Sequence, residues 1–220
     1  MQALFDAIKS GDAAAVTSLL DHDSALAEAK DERGLSPLAF AIYNRQPAIA
    51  QLLETRGTVL DVFTAAMLGR AGRITELVSE NRSLARAYSH DGWTALHLAV
   101  FFGHQESAVA LLAKGAEARA RSTNPMQNTP LHAAAAGGHA ALAKLLLDRG
   151  ADVNARQHGG WTALHAAAQN GDAVLAQLLI DGGADIAIRA ENNQSALDLA
   201  LTKGHRQIVE LLERQGAALQ

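Results

Sequence analysis

Residues 94–104 read T-A-L-H-L-A-V-F-F-G-H, and the frame returns at 129–139 as T-P-L-H-A-A-A-A-G-G-H and at 162–171 as T-A-L-H-A-A-A-Q-N-G. Working outward, Leu96 is followed seven residues later by Gly103, and the pair recurs as Leu131 with Gly138, Leu164 with Gly171 and Leu197 with Gly204. Upstream it persists as Leu4 with Gly11 and Val62 with Gly69, while Leu38 is followed at that interval by Arg45. The seven anchors 4, 38, 62, 96, 131, 164 and 197 are spaced by 34, 24, 34, 35, 33 and 33 residues. A period of this length is the signature of a repeat architecture.

Each unit carries a second pattern counted from its Gly. Five residues on stands a small or aliphatic residue, as at Val16, Ile74, Ala108, Ala143 and Ala176, and eight on stands a Leu, from Leu19 to Leu212. Twelve on, five units have Gly, at 57, 115, 150, 183 and 216. Apolar spacings of three and four define a helix, and the second Gly suits a left-handed helix stop. One unit therefore reads as a short helix, a tight turn, a longer helix, a Gly stop and an extended loop. Thr94, Thr129 and Thr162, with Ser36 and Ser195 in the equivalent places, are expected N-caps, and Pro37 and Pro130 follow at a position where a missing N–H costs nothing.

These units, with G-A-D-V-N-A-R at 150–156, resemble ankyrin repeats over nearly the whole chain. The resemblance implies an all-α solenoid of helix-turn-helix units joined by hairpin loops. It makes 1–220 a single domain of seven units, at approximately 1–33, 34–58, 59–91, 92–126, 127–159, 160–192 and 193–220. Anchors 4 and 62, and 38 and 96, differ by 58, so residues 1–58 and 59–116 read as a duplicated pair. In the first member of each pair a longer, partly helical connection (DHDSALAEA at 21–29, SENRSLARA at 79–87) replaces the Gly-Ala-Asp ending, as in a set of bacterial ankyrin proteins. The 24-residue step leaves no room for a projecting hairpin, and a notch is expected there. The anchors should form one buried row. Ala99, Ala134, Ala167 and Ala200 should let neighbouring helices approach to about 8–10 Å.

Composition narrows the function. Hydrophobic residues make up 49% of the 220 residues but aromatics only 4%, and there is no Cys, which excludes disulfides and thiolate chemistry. A net charge of −4 argues against a phosphate-tracking surface, so no nucleic-acid partner is expected. MQALFDAIKSGDAAAV at 1–16 holds no apolar signal core and no later run is apolar enough to span a bilayer; a cytoplasmic chain without membrane attachment is expected. His97, His132 and His165 occupy one position in successive units, too far apart to share a metal, and the resemblance gives them a bonding role between units. His104, His139 and His205 are likewise typical of the family. Arg121, Arg156 and Arg189 form a ladder expected to be solvated or paired with a neighbouring unit's acid. Neither a nucleophile triad nor a phosphate loop fits the register, so no enzyme activity, metal or cofactor is expected.

Partner binding is read from apolar residues that the stack does not need. The two residues before each turn Gly face the groove that ankyrin proteins use, and the residue before each T-A-L-H lies on its hairpin edge. This selects Tyr43, Met67, Leu68, Trp93, Phe101, Phe102, Asn128, Trp161, Gln169 and Asn170. Aromatic anchors of this kind dominate interface cores. Ala136 and Gly137 beside Phe102 should leave a hollow between the two Trp edges. The leading expectation is a monomeric, non-catalytic adaptor for another protein. The alternatives are a regulatory or small-ligand-binding subunit of an enzyme complex and a secreted effector acting on a host protein.

Overall fold

The structure, a computed structural model, describes residues 1–218. Among them the chain forms fourteen α-helices and, beyond isolated bridges such as Tyr88 with Thr94, no β-strand. The helices are α1 (Gln2–Ser10), α2 (Ala13–His22), α3 (Pro37–Tyr43), α4 (Pro47–Thr55), α5 (Val62–Met67), α6 (Ala71–Glu80) and α7 (Ala95–Phe101). They continue as α8 (Gln105–Ala113), α9 (Pro130–Gly137), α10 (Ala140–Asp148), α11 (Ala163–Asn170), α12 (Ala173–Asp181), α13 (Ala196–Lys203) and α14 (Arg206–Ala218). Successive helices pair through turns of two or three residues. The odd-numbered helices pack on one another from α1 to α13 as an inner layer, and the even-numbered helices lie behind them.

The caps explain why each helix begins where it does. Ser36 accepts the N–H of Ala39 at 3.2 Å, Asp61 that of Thr64 at 2.7 Å and Ser195 that of Asp198 at 3.2 Å, each filling a donor left open by the first turn. Asp61 caps α5 one residue later, counted back from Gly69, than Thr94 caps α7 from Gly103, so α5 is shorter. The turn glycines are left-handed, and at Gly103 (φ 82°) the reason is doubled: an added Cβ would lie 2.7 Å from the His139 ring of the next pair. Gly57, Gly115, Gly150 and Gly183 have the left-handed φ of a helix stop. Gly216 does not. It lies inside α14, which runs on to Ala218, so the expected stop there is absent.

Six of the seven anchors, from Leu4 to Leu164, are fully buried in a row between the helices, and the four alanines 99, 134, 167 and 200 are closed to solvent. Leu197 departs from the expectation. It is only partly buried because, among the described residues, no further helix pair covers the outer side of α13. The apolar interior divides in two, one cluster running from Leu4 to Leu53 and the other from Val62 to Leu212, the second joined by Ala39 of α3. The division falls at the 24-residue step, where only residues 56–61 join α4 to α5 and no hairpin projects. The expected notch is closed rather than open. His90, from the hairpin before α7, covers Gly34 in the hairpin before α3 so closely that a Cβ on Gly34 would run into the ring. Tyr43 reaches over the same step and its hydroxyl donates to Asp91 at 2.8 Å. The 21–29 and 79–87 connections carry short 3-10 turns, Ser24–Glu28 and Arg82–Arg86.

Candidate functional site

The histidines of the T-x-L-H frame are consumed by the stack. Thr129 donates its N–H to His132 Nδ1 at 3.2 Å, which leaves the ring proton on Nε2, and Nε2 donates to the Trp161 carbonyl of the next hairpin at 3.1 Å. His97 reaches the Asn128 carbonyl at 3.0 Å and His165 the Gln194 carbonyl at 3.2 Å in the same way. Burial pushes His97 and His132 down to about 4 and also lowers His165, so all three rings are neutral at pH 7. His104, His139 and His205 each donate to a carbonyl of the preceding pair, Met67, Phe101 and Gln169. With their ring nitrogens thus engaged, His97, His132 and His165 have no lone pair free for a metal. Among the described residues no group of three His, Asp or Glu side chains gathers in metal-binding geometry.

The arginine ladder is solvent-exposed, and its bonds run mainly to backbone carbonyls. Arg121 donates to the Arg156 carbonyl at 2.8 Å and Arg156 to the Arg189 carbonyl at 2.7 Å, tying each hairpin base to the next. Arg189 alone meets an acid, Asp198, at 2.9 Å. Bonds from the Ser195 N–H and hydroxyl, together with Arg189, hold the Asp198 carboxyl below its usual range. The hairpin tips are linked too, by Thr123 N–H to the Gly92 carbonyl, His158 N–H to Met126 and Glu191 N–H to Gly159.

What remains unspent lies on the inner face between α3 and α9. A hollow of ≈ 400 Å³ opens there, walled by Tyr43, Trp93, Phe101, Phe102, Met126 and Asn128. Phe101 is 44% exposed and stacks edge-on against Phe102 with centroids 5.2 Å apart; Phe102 in turn meets Tyr43 at 6.2 Å and packs against the interior. Trp93 stands over His97 at 5.6 Å and also borders a second hollow of ≈ 580 Å³ beyond Tyr43, lined by Lys9 and Arg33. The Asn128 Oδ1 is buried without a hydrogen-bond partner. Ala136 forms part of the wall, as the small residue before Gly137 predicts.

The structure thus brings together Tyr43, Trp93, Phe101, Phe102 and Asn128 among the residues selected from the sequence. It does not bring in the others. Met67 is a correction: it is 3% exposed, turned into the interior beneath the 24-residue step. Leu68 borders a neighbouring depression on the turn side with Pro47 and Arg70; that depression shares Ile42, Arg45 and Phe102 with the hollow. Trp161 packs on His165 at 5.8 Å away from the hollow, so the hollow does not lie between the two Trp edges. Asn170 spends its amide on the Ala135 carbonyl, and Gln169, half-buried beside it, stands clear of the hollow. Sequence reading missed Arg45, Ile42 and Met126 as wall residues. Two signals pointed to them: Arg45 stands where six sister units have Gly, and Met126 sits in the hairpin that lengthens one repeat step to 35 residues.

Among the described residues no helix is long and apolar enough to cross a membrane. No curated protein matches the chain at a significant level. The family model described as ankyrin repeats (3 copies) matches residues 62–157 and again 156–219. Those residues hold the T-x-L-H caps, the left-handed turns and the inter-unit histidine bonds described above. With well over half of its length matched, the chain belongs to the ankyrin repeat family.

Proposed function

We propose that the chain is a non-catalytic adaptor that holds another protein in the groove formed by its inner helices and hairpin tips, with the hollow around Phe101 as the anchor point. Ankyrin repeats are generally protein–protein interaction modules. The observation that carries the specific reading is the concentration of scarce aromatics: Tyr43, Trp93, Phe101 and Phe102 wall one hollow in a chain that is 4% aromatic. Residues 1–58, outside the matched segment, repeat the same helix-turn-helix pattern and are read as two further units, giving seven in all. A stacked scaffold fixes these side chains before binding, so little ordering entropy is lost on association. We read the chain as a cytoplasmic monomer without a nucleic-acid partner, in line with its net charge of −4.

The test is Phe101→Ser. Phe101 is half-exposed, so the melting temperature should stay close to that of the parent, while capture of the partner from a lysate of the source cell falls at least about tenfold, as for a buried aromatic anchor. Undiminished capture by a folded variant would overturn the assignment of the groove. A hollow of ≈ 400 Å³ is also large enough for a small molecule, which supports the second reading, a ligand-binding regulatory subunit. A thermal upshift with a metabolite collection, abolished by Phe101→Ser, would favour that reading over the adaptor.

A further inference from the structure

Arg45 departs from its sisters in three respects. Six units place Gly at this turn, whereas Arg45 takes the left-handed conformation itself, at φ 55°. A non-Gly residue is sterically disfavoured there. The stack explains how an Arg is tolerated. At Gly69, Gly103 and Gly171 a His of the next pair lies where a Cβ would go, but after Arg45 the equivalent residue is Arg70, which turns away to a two-pronged bond with Glu54 at 3.0 Å. Tolerance does not explain use. Among the described residues the Arg45 guanidinium forms no ion pair and no hydrogen bond, and it borders the aromatic hollow.

The adjoining groove carries two further cations and one acid. Lys9 and Arg33 line the second hollow, which shares Tyr43 and Trp93 with the first. Lys9 has no ion-pair partner among the described residues, and Arg33 keeps a loose contact with Asp31 at 3.3 Å. The acid shared by this surface, Asp91, is already bonded to the hydroxyls of Tyr43 and Ser89. A chain of net charge −4 thus sets three cations, Arg45, Lys9 and Arg33, against one acid, Asp91, along the pit and the groove beside it. Asn128 lines the pit, while its Oδ1 lies closed to solvent behind the wall without a donor. A buried acceptor left without one is costly.

Building on the proposed adaptor reading, we infer that the occupant is an acidic peptide segment of the partner. A large apolar side chain fills the pit against Trp93 and Phe101, and a carboxylate about one to three positions away pairs with Arg45. An extended segment advances about 3.3 Å per residue, which sets that short separation. Further acids along the segment meet Lys9 and Arg33. The guanidinium is suited to this use because its planar fork grips a carboxylate at two points.

A phage-displayed random dodecapeptide library panned on the immobilised full chain tests the inference. The enriched peptides should combine an aromatic or large aliphatic residue with Asp or Glu within about three positions. Their binding should weaken about tenfold in Arg45→Gly, equivalent to 1.4 kcal/mol, and weaken again as salt is raised. Arg45→Gly restores the residue of the sister turns, so its melting temperature should equal or exceed that of the parent, and lost binding cannot be blamed on lost folding. Peptides that bind Arg45→Gly as well as the parent but are lost in Phe101→Ser would overturn the acidic-segment inference and leave the groove standing. Peptides indifferent to both substitutions would overturn both. A library with no enrichment over the bare matrix would overturn the linear acidic occupant.

Discussion

At His132 the Nδ1 lone pair takes the Thr129 N–H and the Nε2 proton goes to the Trp161 carbonyl, so a second ring proton would displace the Thr129 bond. The pH consequence follows from the sign of the shift. Burial lowers the folded-state value from 6.5 to about 4, so between those values the unfolded chain binds a proton that the folded chain does not. Stability from this residue is complete above pH 6.5 and is lost as the pH falls through about 4. His97 titrates in the same direction, with burial again the main cause. Replacing His132 by Gln should cost about 1–3 kcal/mol at pH 7, the usual penalty for breaking a buried polar pair. Urea melts from pH 7 to 4 should also show the variant losing stability less steeply than the parent. Parallel curves would mean that His132 is not the buried neutral ring described here. None of this pH behaviour is legible in T-x-L-H as a string. The spacing shows a repeated position, but burial and a carbonyl about thirty residues away set the titration.

Helices and hairpins were legible wherever a local signal decides them. The Thr, Ser and Pro starts and most of the Gly stops lie within one turn of the groups they satisfy, and the structure places them accordingly. Gly216 shows the limit: Gly permits a stop but does not enforce one, and α14 carries on through it. The closure of the notch was hidden for another reason. It depends on His90 crossing to Gly34 and Tyr43 to Asp91, contacts made across the whole of α5 and α6. Beneath that strap the interior remains largely divided, with α1–α4 around one cluster and α5–α14 around the other, while Ala39 of α3 joins the second and Ile42 and Leu60 touch both. In a stacked array stability is the sum of units and their interfaces, so the thinnest interface sets where the chain opens. Native-state hydrogen exchange should therefore show the slow amides of α1–α4 opening at lower free energy than those of α7–α12. One common opening energy across both sets would show that the two clusters unfold as one.

Across the molecule, the stacking engages the six repeat histidines and leaves an aromatic pit on the inner face, with Arg45 at its edge. The candidate site was legible to the extent that position within a unit predicts the exposed face: Phe101, Trp93 and Tyr43 wall the pit. It failed for Met67, which packs into the interior, and for Trp161, which packs on His165 away from the pit. The most direct test of the groove as the working surface is hydrogen exchange of the full chain, free and with a captured partner bound. Protection should appear at the hairpin tips 88–93 and 122–128 and around residues 43–45, with the outer helices α8, α10 and α12 unchanged. Protection confined to those outer helices, with the tips unaffected, would contradict the account.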